Sequence, residues 1–333
     1  MSELWMIAIV AAGLSAALLF IVGKYGPATV LVAPVGPRSN HATPTPQTGG
    51  LAVVPAMLIA ILAGWVLGVV GSSAAAAISV SIVMLFAAGI VDDARDIGAV
   101  AKLVIQIVAA SISVYGFSDT LSIFPSELFF PIAGLMTIIL LVWAINLTNF
   151  MDGLDLMVVA GIGLPALVVG LGGLAGYLEL SASVVISLAL GCALLPFGLA
   201  NRPVARMFLG DNGSLPVGLV AGVIFLGLSV QYSIFVGCLP FSYFIIDTAA
   251  TLAARLARRE NILAAHSQHA YQTARRAGLQ AITVSGLVAL VSLLGAVLAI
   301  ASATGYVTPL AGFIITFGAA CALYLILKTV SRT

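Results

Sequence analysis

The sequence predicts an all-α, polytopic membrane bundle of about eleven transmembrane helices, with the N-terminus outside and the C-terminus cytoplasmic. Three observations predict it. The 333 residues are 62% hydrophobic and only 8% charged, and a mean hydropathy of +1.20 excludes an ordinary soluble domain. Apolar runs recur at lengths near the ~20 residues that a helix needs to cross the hydrocarbon core. Finally, the basic residues segregate when the runs are walked alternately from one side to the other.

The spans fall near 4–22, 50–70, 75–91, 101–116, 129–146, 157–175, 181–199, 214–230, 232–250, 280–301 and 309–328. The first has no basic region ahead of it and no cleavage site, so it reads as a retained span. Walking these spans puts all 13 Lys and Arg residues on one face, whereas the other carries Glu3, Asp119, Glu127 and Glu179. The positive-inside rule makes the basic face cytoplasmic. The chain reads as a single domain over 1–333, with cytoplasmic loops near 23–49, 92–101, 146–156, 200–214 and 251–279. A net charge of +1 without a basic stripe argues against nucleic acid. Cys192, Cys238 and Cys321 lie in apolar runs without CxxC spacing and read as small buried hydrophobes.

Polar residues are scarce, so their clusters carry the information. The first loop holds Arg38 and His41 among prolines and glycines, a shaped segment that alone implies no chemistry. Asp92, Asp93 and Asp96 close the third span and Lys102 opens the fourth. Adjacent carboxylates repel unless a cation lies between them, and Mg²⁺ is the usual one at phosphate sites. A solvated loop with Arg95 neutralising Asp96 is the bland alternative. Asn149, Asp152 and Asp155 recur at intervals of three and would line one face of a helical turn. An elaborate helix cap would need only one of them.

Gly210-Asp211-Asn212-Gly213-Ser214 precedes the eighth span, where glycines let backbone approach a ligand. Asp211 is the first candidate metal ligand and Asp93 the second; an ordinary turn capped by Ser214 is the alternative. His266 and His269, with Tyr271, Gln272, Arg275 and Arg276 behind them, lack the further ligands of a zinc site and suit a diphosphate or sugar. Arg255, Arg258 and Arg259 read as interfacial contacts to anionic headgroups.

Five segments in this order resemble the polyprenyl-phosphate N-acetylhexosamine-1-phosphate transferase family: RSNHATPTP at 38–46, DDARDIGAVAK at 92–102, NLTNFMDGLD at 146–155, NRPVARMFLGDNGSLPVG at 201–218 and HSQHAYQ at 266–272. The resemblance implies a Mg²⁺-dependent (alternatively Mn²⁺-dependent) bacterial inner-membrane enzyme with a cytoplasmic active site. Undecaprenyl phosphate would attack a UDP-N-acetylhexosamine, releasing UMP. It implies that Asp211 binds the metal with Asp93 as partner, and that Asp92 and Asp93 handle the lipid phosphate. Lys102 would hold a phosphate. Asn149, Asp152, Gly153, Leu154, Asp155 and Asn201 would form the uridine pocket, and His266 and His269 would meet the diphosphate or sugar.

The ending His-x-x-His-x-Tyr-Gln looks more like the O-antigen-initiating branch than the phospho-N-acetylmuramoyl-pentapeptide transferases, which points to an N-acetylhexosamine or its deoxy analogue. A homodimer is left open. The chain departs from the family pattern at Gln47-Thr48, where Arg-Gly is usual, and at Leu156, where Gly is common. The rival from another class is a secondary transporter, which should carry ionisable groups near the bilayer midplane; only Asp247 approaches that description.

Overall fold

The computed structural model describes residues 4–26, 31–33, 44–117, 123, 130–261 and 266–330, and it is helical nearly throughout. The long helices are α1 (Leu4–Tyr25), α2 (Gly50–Val66), α3 (Ser72–Ala94), α4 (Ala99–Gly116), α5 (Phe130–Met151), α6 (Leu164–Leu174), α7 (Ala182–Ala200) and α8 (Asp211–Gln231). A π-helical turn, Val159–Gly163, leads into α6. The short α9 (Ile234–Cys238) joins α10 (Ser242–Ala257) through one 3-10 turn, so the two act as a single span. After them come the short α11 (Ala270–Arg276), then α12 (Ala281–Ala303) and α13 (Pro309–Val330).

Among the described residues nine helices are long and apolar enough to cross a membrane, and the shorter Gly50–Val66 and Val159–Leu174 bring the apolar helices to the expected eleven. The protein is a multi-pass membrane protein. Its layout follows from which helices can hide all their faces. Helix α8 is apolar or small all round, is buried along almost its whole length, and forms the axis against α2, α3, α5 and α7. Helices α1 and α13 expose leucine, isoleucine and phenylalanine outward, as a lipid-facing layer must. Cysteine use departs from expectation here: Cys192 is buried, Cys238 half-buried, and Cys321 on α13 exposed; all three are free thiols.

Inside the bundle some polar side chains pair across helices. Ser81 donates to Ala109 and accepts from Ser113, and the Asn146 and Gln106 amides bond to each other between α5 and α4. Two short strands, β1 (Val32–Ala33) and β2 (Thr45–Pro46), pair antiparallel in the first loop. Beyond β2 the chain docks on the segment before α8: Phe208 N–H donates to Pro46, Gly49 N–H to Phe208 and Gly50 N–H to Leu209. That docking carries Gln47 to the start of the axial helix.

Candidate active site

The N-terminus of α8 is where the segments meet. Gly210 precedes it with φ +75°, a left-handed conformation that favours glycine. Helix α3 approaches so closely at Gly89 that a Cβ there would lie 2.4 Å from the Asn212 backbone. The close approach lets Asp93, one turn on, cap α8. Its carboxylate accepts from the backbone N–H groups of Asp211 (3.0 Å) and Asn212 (2.9 Å) and from the Asn212 amide. The same amide donates to the Gln47 carbonyl at 2.8 Å. Asp93 thus answers the orphan donors of a helix start, a role that needs an acid at a positive helix end. Asp92 and Asp93 sit in the last turn of α3, at the end of the third span, and Asp96 lies just beyond it.

Lys102, in the first turns of α4, joins the two neighbouring acids. Its Nζ lies 2.7 Å from Asp92 Oδ2 and 2.8 Å from Asp211 Oδ2. The Asn149 amide donates to the other Asp211 oxygen at 2.8 Å and to Ser214 Oγ at 2.9 Å. Side chains of α3, α4, α5 and α8 therefore converge on one point, although Asp92 and Asp211 are 119 positions apart in sequence. Lys102, Asp92 and Asp211 each keep between 13% and 22% of their side-chain surface, so the network is reachable from outside.

Asn149 and Asp211 also line a cavity of about 570 Å³, together with Asp152, Gly153, Leu154, Asp155 and Asn201. The expected helical face over 149–155 is not what unites them. Helix α5 stops at Met151, and the chain turns through Asp152–Leu156, where Leu156 adopts φ +65°. A leucine there carries strain that a glycine would not. Its N–H is held at 2.6 Å by Asn201 Oδ1, while Asn201 Nδ2 donates to Met207. Asn201 clamps the turn with both ends of its amide, and Asp155 fixes the opposite wall by accepting from Ala205 N–H at 3.2 Å. Burial pushes the Asp152 carboxyl well above the ordinary range, and the nearby charges of Asp211 and Asp93 add to it.

Two lining residues escaped the sequence reading as site residues, Gln47 and Phe208, whereas Gln272 and Arg275, which it grouped with the histidines, do line the cavity. Gln47 was legible only as a departure from a pattern, and Phe208 carried no signal at all. Arg38 and His41 lie outside the described residues.

The histidine loop corrects expectation twice. His269 does not face the cavity: it is 1% exposed, its Nδ1 is 3.3 Å from Asp247, and it has a capping-box place at the start of α11. Asp247 is fully buried and accepts from Tyr243, Thr251, His269, Ala270 N–H and Tyr271 N–H. Tyr271 in turn donates to the Phe150 carbonyl at 2.8 Å, tying the loop to the end of α5. His266 stacks on His269 at 5.0 Å, and burial, then the charges of His269 and Arg255, bring it down to about 4. Arg255 is no headgroup contact either; it is 3% exposed and reaches Asn261 and Glu260, because α10 continues seven residues beyond the expected span end at 250.

The donor set fits a hard divalent cation in part. Two carboxylate oxygens, from Asp92 and Asp211, already share one positive charge. Among the described residues no three His, Cys, Asp or Glu groups converge as a cage. An ion here would rely on one or two carboxylates plus substrate phosphate oxygens, the habit of Mg²⁺.

Residues 75–229 match the model of glycosyl transferase family 4. The decaprenyl-phosphate N-acetylglucosaminephosphotransferase of Mycolicibacterium smegmatis is 35% identical over 209 residues, 56% of this chain and 50% of that protein. A probable undecaprenyl-phosphate N-acetylglucosaminyl 1-phosphate transferase of Bacillus subtilis is 29% identical over 73% of this chain and 69% of its own length. A phospho-N-acetylmuramoyl-pentapeptide-transferase of Listeria welshimeri is 29% identical over 65% and 71%. The match thus spans about half the length of the mycobacterial relative.

Proposed function

We propose, from the match of residues 75–229 to glycosyl transferase family 4, that the protein transfers an N-acetylhexosamine 1-phosphate from a UDP-sugar to a polyprenyl phosphate at the cytoplasmic face of a bacterial inner membrane. An oxygen of the lipid phosphate attacks the β-phosphorus of the UDP-sugar. The bond from that phosphorus to the bridging oxygen breaks, and UMP leaves with the electron pair.

The observation that carries the reading is the Lys102 bridge between Asp92 and Asp211 beside a cavity of nucleotide-sugar size. Such a transfer needs little covalent work from the protein; it needs two anions held together. Mg²⁺ bound by Asp211, with Asp92 beside it, would neutralise charge on the diphosphate. Lys102 supplies the permanent positive charge that a phosphate meets. Of the adjacent acids Asp92 serves the lipid phosphate, because Asp93 is committed to the start of α8. Asp152, Gly153, Leu154 and Phe208 offer polar edges and an apolar wall for the uridine, and Arg275 faces the same cavity as a diphosphate contact. The donor is read as an N-acetylhexosamine or deoxy-N-acetylhexosamine for O-antigen initiation, following the loop ending in Tyr271-Gln272.

The test is UMP release by the purified chain from undecaprenyl phosphate and a panel of UDP-sugars, with chelator and restored Mg²⁺. Asp211→Asn should lower the rate on the order of 10²–10³-fold while thermal unfolding stays as in the wild type. Full activity in that variant removes the metal assignment. No UMP from any donor with folded protein removes the transferase reading.

A further inference from the structure

The turn after α5 gives Asp152, Gly153, Leu154 and Asp155 in succession to the wall of the cavity. It ends on Leu156, whose φ of +65° a leucine adopts at a cost. Such strain persists where the surroundings over-determine the conformation. Here the surroundings are three separate segments of the chain.

From the stretch before α8, Asn201 Oδ1 accepts from Leu156 N–H, Asn201 Nδ2 donates to Met207, and Ala205 N–H donates to Asp155. From α11, Tyr271 donates to the Phe150 carbonyl and lies so close to Gly153 that a Cβ there would meet its hydroxyl. From α12, Ser285 Oγ donates to the backbone carbonyl of Asp155 at 2.6 Å.

Ser285 is the grip that nothing in the sequence marked. It is 2% exposed and does not line the cavity, so its hydroxyl is closed to a ligand. Ala281, one turn earlier on the same face of α12, does line the cavity, as does Ile282. The Ser285 hydroxyl therefore ties two walls of one cavity together: the turn after α5 and the start of α12. It also lies outside residues 75–229, so the family match does not account for it.

We propose that Ser285 is a positioning residue for the donor nucleotide: by holding the Asp155 carbonyl it keeps the backbone of Asp152–Asp155 where a uridine meets it. This rests on the uridine reading of the cavity. The uridine is remote from the bond that breaks, so a displaced turn weakens ground state and transition state alike. The loss then falls on KM for the donor and spares kcat.

Titration calorimetry of the purified full chain with UDP tests this, alongside UMP-release kinetics. Ser285→Ala should weaken UDP binding and raise KM for the UDP-sugar about fivefold, the worth of one neutral hydrogen bond. Its kcat, its KM for undecaprenyl phosphate and its melting temperature should stay as in the wild type. In the wild-type chain, UDP should slow hydrogen exchange in the 152–157 peptide and in the first turns of α12 together, a readout independent of variant folding. Unchanged UDP affinity in Ser285→Ala, a fall in kcat with KM unmoved, or protection of the turn without α12 would overturn the proposal and leave the uridine reading standing. A folded wild-type chain that binds no UDP would remove both.

Discussion

Two carboxylate clusters lie at the same end of the bundle and have opposite characters. At the first, Asp92 and Asp211 share the single ammonium of Lys102 and retain side-chain exposure of 13% and 20%. At the second, Asp247 has no exposure, and five donors from its own chain surround it. Each cluster pairs acids with a basic partner. Only the first has one cation for two anions and a path to a cavity, so only the first can exchange a protein partner for a ligand. The second fixes the fold: it holds the start of α11 and, through Tyr271 and Phe150, the floor beneath Asp152. An acid in an apolar bundle declares its role by how many of its lone pairs are already taken.

The largest expected effect breaks the buried cluster. Asp247→Ala strands several buried donors, and losing one partner of a buried ionic network costs about 3 kcal/mol or more. Thermal unfolding should drop sharply, with UMP release falling only as folded protein is lost. A variant with an unchanged melting temperature but no activity would move Asp247 to the catalytic side of the comparison.

Lys102→Gln probes the open cluster and should do the reverse. Its ion pairs are partly exposed and contribute little to stability. Removing the charge that meets a phosphate should instead slow UMP release on the order of 10²-fold. If the melting temperature falls as far as in Asp247→Ala while the rate per folded molecule holds, the bridge is structural and the contrast between the clusters fails.

How far this contrast was legible depends on sequence distance. The spans were readable because an apolar run near 20 residues is a local signal. The end of α10 was misjudged because Thr251 and Arg255 are polar residues that tertiary contacts bury. The candidate residues of the open cluster were visible as types, since acids in so apolar a chain stand out, yet which acid does what was not. Asp93 became a helix cap through Gly89, and nothing near residue 89 announces that α8 will lie against it. His269 resembled a ligand because its partner Asp247 is 22 positions away, and nothing local in the sequence joins the two. The turn at Leu156 defeated the helical spacing of 149, 152 and 155 for a local reason: one left-handed residue is invisible to periodicity.

The smallest expected effect concerns His266, which stacks on His269 of the buried cluster. Burial, His269 and Arg255 bring it from the usual 6.5 to about 4, so it is uncharged at neutral pH. It can therefore offer a diphosphate a hydrogen bond but no charge, and the positive partners left for that role are Lys102 and Arg275. The sign follows from linkage. The unfolded chain takes up this proton near 6.5 and the folded chain only near 4, so His266 costs the fold stability as pH falls through that window. Below it the loss is complete, and above it there is none. In His266→Gln the fall in melting temperature between those two values should be shallower than in the wild type, with the curves parallel above pH 6.5. Parallel curves throughout would mean that His266 titrates as it would in water, and the histidine would then be free to act as a cation.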